Sequence, residues 1–319
     1  MVTCAFHPQR ETGRSCTRCG RAACPECLRD APVGSHCVAC VKEAQPKVAE
    51  TMARQAHQLK AIRPSPVFFV IVAVAVGGGV LSYLADSVAA RGGTDFRQVA
   101  VFILVLAGWV VSLCLHEFGH ALVAYLGGDH TVASKGYLTL DVRRYADRGL
   151  SLFLPLVFLA LGGIGLPGGA VWINQGLIHD RRVRTLVSLA GPAANVVFGS
   201  VLLAPFWTGV LDYRNHPTLA GGLAFLGYLQ FFAAILNMLP VPGLDGFGAL
   251  EPWLPGHVLE AVAPFRQYGF LILFVMISRV DAIHRFLTDG ATRALESLQV
   301  RPSRLWALGY ALFKFWQRI

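Results

Sequence analysis

The chain has 319 residues, of which 54% are hydrophobic and only 15% charged, and its formal net charge is +9. Soluble domains carry about 25% charged residues, so an ordinary water-soluble protein is excluded. The basic residues are scattered, so the charge reads as topology, with Lys and Arg held on the cytoplasmic side of a membrane, and not as a nucleic-acid surface.

The N-terminus is polar, and no cleavable signal peptide is expected, since the first apolar run begins near Pro66. Seven of the eight cysteines lie before Val41. They fall into the pairs Cys4-x-x-His7, Cys16-x-x-Cys19, Cys24-x-x-Cys27 and Cys37-x-x-Cys40. Four two-ligand knuckles supply enough donors for two tetrahedral zinc ions. A segment this short cannot build a sufficient apolar core, so metal must supply much of its folding energy. Thiolates that bind zinc require a reducing compartment, which places this head in the cytosol. Spacing leaves the pairing of knuckles open, and His36 is an alternative to Cys37. Residues 1–45 form this head, and the polar stretch 46–65, which contains His57, reads as a linker.

The first membrane span is expected over Val67–Ala89, with Gly77, Gly78 and Gly79 marking a close helix contact. Gln98–Leu126 is the second. A polar, basic loop follows over Gly127–Gly149, in which G-Y-L-T-L-D-V alternates as a strand does. Leu150–Ile178 is apolar but broken by glycines and a proline, and a basic patch follows at His179–Arg184. A single crossing would put that patch outside, so a re-entrant segment or hairpin is expected. Within it, Gly169–Asn174 reads as a strand edge able to pair with an extended peptide. Thr185–Trp207 and Leu219–Leu239 are further spans. Glu251–Phe265 reads as interfacial, and Tyr268–Ile283 is a shorter apolar run. The basic, amphipathic tail occupies 284–319. The whole predicts an α-helical polytopic membrane protein with about five or six membrane segments, a re-entrant strand or hairpin, and a small double-zinc head.

The second span holds three polar side chains in an otherwise apolar run: His116, Glu117 and His120. Histidines four apart share a helix face and can grip one ion. Glu117 lies beside them as a general base, which makes H-E-x-x-H a zinc site. An ionised group at the centre of a membrane helix costs about 2.5–3.5 kcal/mol on insertion scales, so such groups are rarely idle. Cys114 lies off the metal face and reads as packing. A catalytic zinc usually has three protein ligands and an open position. Spacing offers Asp245, Asp141, Asp129, Glu251 and His257 for the third. Asp245 is best placed, at the end of a returning span in a proline-shaped turn; Asp129 and His130 read as loop contacts.

H-E-F-G-H, G-P-A-A-N (Gly191–Asn195) and N-M-L-P-V-P-G-L-D-G (Asn237–Gly246) stand in the order that resembles the site-2 protease family, over roughly residues 67 to 280. G-D-H-T and the later L-T-L-D are similar to the loop after the metal helix in its bacterial members. The resemblance implies an intramembrane zinc metalloprotease domain over 66–283 that cleaves membrane-anchored substrates. By resemblance, His116, His120 and Asp245 are the zinc ligands, Glu117 the catalytic base and Asn237 a substrate contact. The head resembles a B-box zinc finger, in which alternate knuckles share a metal. That implies Cys4, His7, Cys24 and Cys27 on one zinc, and Cys16, Cys19, Cys37 and Cys40 on the other. Expected cofactors are therefore one catalytic and two structural zinc ions. Expected partners are the bilayer, a membrane-anchored protein substrate and a protein bound by the finger. The competing reading is a non-catalytic membrane scaffold or metal-handling protein acting through its cytosolic finger.

Overall fold

The structure, a computed structural model, describes residues 2–30, 34–44, 62–93, 95–145, 171–302 and 304–314. It divides into two compact units, Met1–Ile62 and Arg63–Ile319.

The N-terminal unit is built from two small antiparallel pairs. Strands β1 (Val2–Cys4) and β2 (His7–Thr12) pair with a register shift at Thr3/Cys4. Strands β3 (Leu28–Asp30) and β4 (Ser35–Cys37) pair Leu28 with Cys37, and helix α1 (Val38–Ala44) follows. Among the described residues its buried side chains are mostly cysteine: Cys4, Cys16, Cys24, Cys27, Cys37 and Cys40, joined by Ala23 and Thr12. A core made of metal-binding groups carries little apolar area, so the metal-free fold has little to hold it.

The second unit is helical. Helix α2 (Pro66–Ala90) is capped by Ser65, whose hydroxyl accepts from the Val67 amide at 3.2 Å. Helix α3 (Arg97–Leu126) lies against it. Gly78 is the point of closest approach: a side chain there would run into the Leu104 backbone. Of the three adjacent glycines, Gly77 faces open space, so the close contact belongs chiefly to Gly78. Helices α4 (Thr131–Ser134) and α5 (Val142–Tyr145) are single turns in the loop after α3. Helix α6 (Arg181–Trp207) and helix α7 (Pro217–Asn237) complete the set of apolar spans. Among the described residues four helices are long and apolar enough to cross a membrane: α2, α3, α6 and α7. This is a membrane protein by that measure. Helix α7 is the centre of the bundle and is buried on nearly every side, whereas α2 lies at its margin.

Beyond α7 come helices α8 (Asp245–Leu250), α9 (Gly256–Val262), α10 (Gly269–Arg279), α11 (Asp281–Ser297) and α12 (Leu305–Phe313). Helix α10 has 11 residues, about 16 Å of length against the ~30 Å of a bilayer core, so it does not span. The basic C-terminal stretch is more than a tail. Leu287, Ala291 and Leu295, spaced four apart, are fully buried in the same core as α7, together with Leu305 and Phe313. Its charges lie on the other face of α11, as amphipathic spacing requires.

Two local expectations change. G-Y-L-T-L-D-V is no strand: Tyr137–Thr139 is a turn of 3-10 helix and Val142–Tyr145 a turn of α-helix. The alternation is real, because Leu138, Leu140 and Val142 are all buried. It is produced by an irregular loop with Leu140 at φ 55°, not by a pleat. Of the proposed strand edge, Gly169 and Ala170 lie outside the described residues, as does most of the re-entrant segment. Residues 171–174 have no strand partner among the described residues.

Candidate metal and catalytic centre

In the helical unit α3 presents His116, Glu117 and His120 from its second half. Asp245 arrives from the far side of the bundle. The chain leaves α7 at Asn237 and turns through Met238–Leu244, with Val241 N bonded to Leu239 O and Leu244 N to Val241 O. Asp245 is the first residue of α8. The turn returns it to α3: its Oδ2 lies 3.3 Å from His116 Nε2 and its Oδ1 lies 3.3 Å from His120 Nε2. The two Nε2 atoms are 3.1 Å apart. Ligand atoms around one tetrahedral zinc lie about 3.3 Å from each other.

The donor chemistry fits a cation. His116 Nδ1 is 2.6 Å from Asn195 Oδ1, and His120 Nδ1 is 2.7 Å from the Val187 carbonyl oxygen. Both of those oxygens can only accept, so each Nδ1 carries the proton and donates. In the neutral rings both Nε2 atoms then hold lone pairs, and these face each other and a carboxylate. Asp245 Oδ2 is buried without a hydrogen-bond partner. Three converging lone-pair donors repel unless a positive ion lies among them.

Gly191 is the wall of this site. A side chain on it would overlap His120 Nε2 and come within 2.6 Å of His116 Nε2. Glu117 lies on the same cavity, of about 270 Å³, and accepts a hydrogen bond of 3.1 Å from the Val171 amide. Asn237, 5% exposed, lines the cavity as well. The stretch carrying Val171 is fastened at two further points. Lys135 Nζ donates to the Trp172 carbonyl at 3.0 Å, and the Asn174 amide donates to Asp129 at 2.7 Å.

The rival acids are committed elsewhere. Asp129 is fully buried and accepts from the Thr131 amide and hydroxyl. Asp141 pairs with Arg143 and accepts from Ser65. Glu251 pairs with Arg266 at 2.6 Å. His130 and His257 are exposed. Cys114 is buried among Leu113, Leu140, Val142 and Tyr145. Sequence reasoning missed Ser112 and Gln230 as neighbours of the site, and it placed the stretch that carries Val171 there as a strand edge. Ser112 had a signal, since it precedes His116 by one helical turn; Gln230 comes from a distant segment.

In the N-terminal unit Cys4, His7, Cys24 and Cys27 bring one ligand atom each within 4.8 Å of the others, and so do Cys16, Cys19, Cys37 and Cys40. His36 is in neither group. The Cys24 amide donates to Cys4 Sγ and the Cys37 amide to Cys16 Sγ, each at 3.2 Å. The His7 ring beside Cys24 holds its thiol down, to about 6, where a thiolate is available at neutral pH.

Curated relatives match along most of their length. A protein of Mycobacterium tuberculosis provisionally named zinc metalloprotease Rip2 is 45% identical over 259 residues, 81% of this chain and 96% of its own. Its namesake in Mycolicibacterium smegmatis is 48% identical over 261 residues, again 81% of this chain and 96% of its own. The provisionally named zinc metalloprotease YwhC of Bacillus subtilis is 28% identical over 182 residues, 52% of this chain and 76% of its own. No protein-family model matches the chain. No solved structure matches it either. The Rip2 proteins are covered almost completely while this chain is not, so it is the longer protein.

Proposed function

Since the chain belongs to the site-2 protease family of zinc metalloproteases, we propose that it hydrolyses peptide bonds of membrane-anchored proteins inside the bilayer. The observation that carries this reading is the meeting of His116, His120 and Asp245 beside Glu117 in one cavity. His116, His120 and Asp245 hold a catalytic zinc. When bound, zinc lowers the pKa of water toward 7 and polarises a carbonyl. Glu117 takes the proton from the attacking water and hands it to the leaving amine nitrogen. Asn237 donates a hydrogen bond to the carbonyl oxygen as its charge develops. A helical substrate hides its carbonyls in its own hydrogen bonds, so it unwinds locally before it reaches Glu117.

The N-terminal unit holds two structural zinc ions, one on Cys4, His7, Cys24 and Cys27, the other on Cys16, Cys19, Cys37 and Cys40. It faces the cytosol and binds a protein partner, and the H-E-x-x-H end of α3 lies in the cytoplasmic half of the membrane.

Comparative proteomics of membrane fractions tests the reading. Cells with Glu117→Gln accumulate uncut membrane proteins that wild-type cells cleave; an unchanged pattern overturns it. Metal content separates the protease from a scaffold. A protease of this kind carries about three zinc ions per chain and loses one in a His116→Ala/His120→Ala variant, whereas a scaffold carries only those of the N-terminal unit.

A further inference from the structure

Behind His116, away from the cavity centre, three helices bring an amide, a hydroxyl and a second amide together. Asn195 (α6) is 4% exposed, Ser112 (α3) 3% and Gln230 (α7) fully buried. Asn195 Nδ2 donates to Ser112 Oγ at 2.9 Å and to Gln230 Oε1 at 2.9 Å. Ser112 Oγ in turn donates to Gln230 Oε1. Both protons of the Asn195 amide are thereby taken by acceptors on neighbouring helices. The amide cannot rotate without losing both bonds, so its oxygen is fixed toward His116 Nδ1, 2.6 Å away.

We propose that Ser112, Gln230 and Asn195 form a neutral positioning relay that sets the tautomer and ring orientation of His116 and so tunes the affinity of the catalytic metal site. This rests on the reading of His116 as a zinc ligand. Histidine ligands usually donate their second nitrogen to a carboxylate, a carbonyl or water, and losing that partner typically weakens metal binding by about 10–100-fold. Within a membrane span an ionised partner is expensive. A neutral amide can accept the same hydrogen bond, provided its own protons are satisfied, and Ser112 and Gln230 satisfy them. One amide proton group remains over: Gln230 Nε2 is buried with no partner. Gln230 thus contributes its oxygen, and its position on the central helix α7 ties the setting of His116 to the packing of α3, α6 and α7.

Zinc affinity, measured on the full-length chain in detergent by chelator competition, provides the test. Asn195→Leu is expected to weaken the one zinc assigned to the helical unit by about 10–100-fold and to leave the other zinc ions unchanged. Asn195→Asp, which keeps an acceptor at the same place, retains that zinc. Gln230→Leu and Ser112→Ala, which leave Asn195 in place but free it to turn, weaken binding less, in that order. If Asn195→Leu does not fold, Gln230→Leu and Ser112→Ala decide. Wild-type zinc affinity in all the folded variants overturns the relay. His116→Ala is the control: if it too keeps the third zinc, the assignment of the ligand fails. If only His116→Ala loses it, the ligand stands and the relay falls.

Discussion

The Glu117 carboxylate and the Val171 amide are joined by a hydrogen bond of 3.1 Å. The group proposed as the general base is therefore held in place by a backbone donor from outside its own helix. Glu117→Gln preserves this bond, because the amide oxygen still accepts, but it cannot take a proton. The variant is expected to keep its full zinc content and to lose about 10²–10⁴-fold in cleavage of a tethered membrane substrate. Metal analysis together with a cleavage time course checks both halves.

Asp129 fastens the same stretch from the other end, through Asn174. Asp129→Ala leaves the Thr131 and Asn174 amides without an acceptor, at a cost of about 1–3 kcal/mol. The expected result is a lower thermal midpoint and slower cleavage at unchanged zinc content. Cleavage at the wild-type rate would mean that residues 171–174 need no anchor.

Gly191→Ala puts a methyl group where two ring nitrogens stand. It is expected to remove the zinc of the helical unit alone, so metal content falls by one ion while the protein stays folded. Measurement of zinc per chain decides it, with circular dichroism as the control for helix content.

Asp141 titrates below an ordinary aspartate because Arg143 hydrogen-bonds it. A folded-state value lower than the unfolded one, about 3.9, gives stability that is present above that pH and is lost as pH falls through the folded value. The difference in thermal midpoint between wild type and Asp141→Asn is expected to be largest near pH 7 and to shrink below about pH 4. A difference independent of pH would assign the effect to Ser65 and packing instead.

Cys24→Ser breaks one four-ligand group of the N-terminal unit. It is expected to release one zinc and to open residues 1–62 to protease, while cleavage of a tethered membrane substrate survives in the isolated protein. Limited proteolysis followed by mass spectrometry locates the cut.

What could be read in advance followed how far apart the cooperating residues stand in the chain. His116 and His120 are one turn apart on an apolar run, so both the span and the metal face were visible. The knuckles were visible for the same reason. Asp245 stood out by its place at the end of a returning span, but spacing alone leaves several acids in competition with it, and it is three-dimensional commitments such as Asp129 to Asn174 that remove them. Asn195 was recognisable as a polar residue in need of a partner, but Gln230 and Ser112 lie 35 and 83 residues from it. The alternation over 137–142 misled because burial of every second residue is a property of the packing, and a loop can satisfy it as well as a strand. In the C-terminal stretch, net charge obscured the line Leu287–Ala291–Leu295.

The two histidines differ in what stands behind them. His120 is answered by the Val187 carbonyl, an atom that every amino acid supplies, whereas His116 is answered by the side chain of Asn195. Mutation can leave the first untouched through any change at position 187 that keeps the helix. It reaches the second directly. Descendants of this chain thus inherit one ring set by the backbone and one set by a side chain, and the second can drift at Asn195 and at the two residues, Ser112 and Gln230, that hold it.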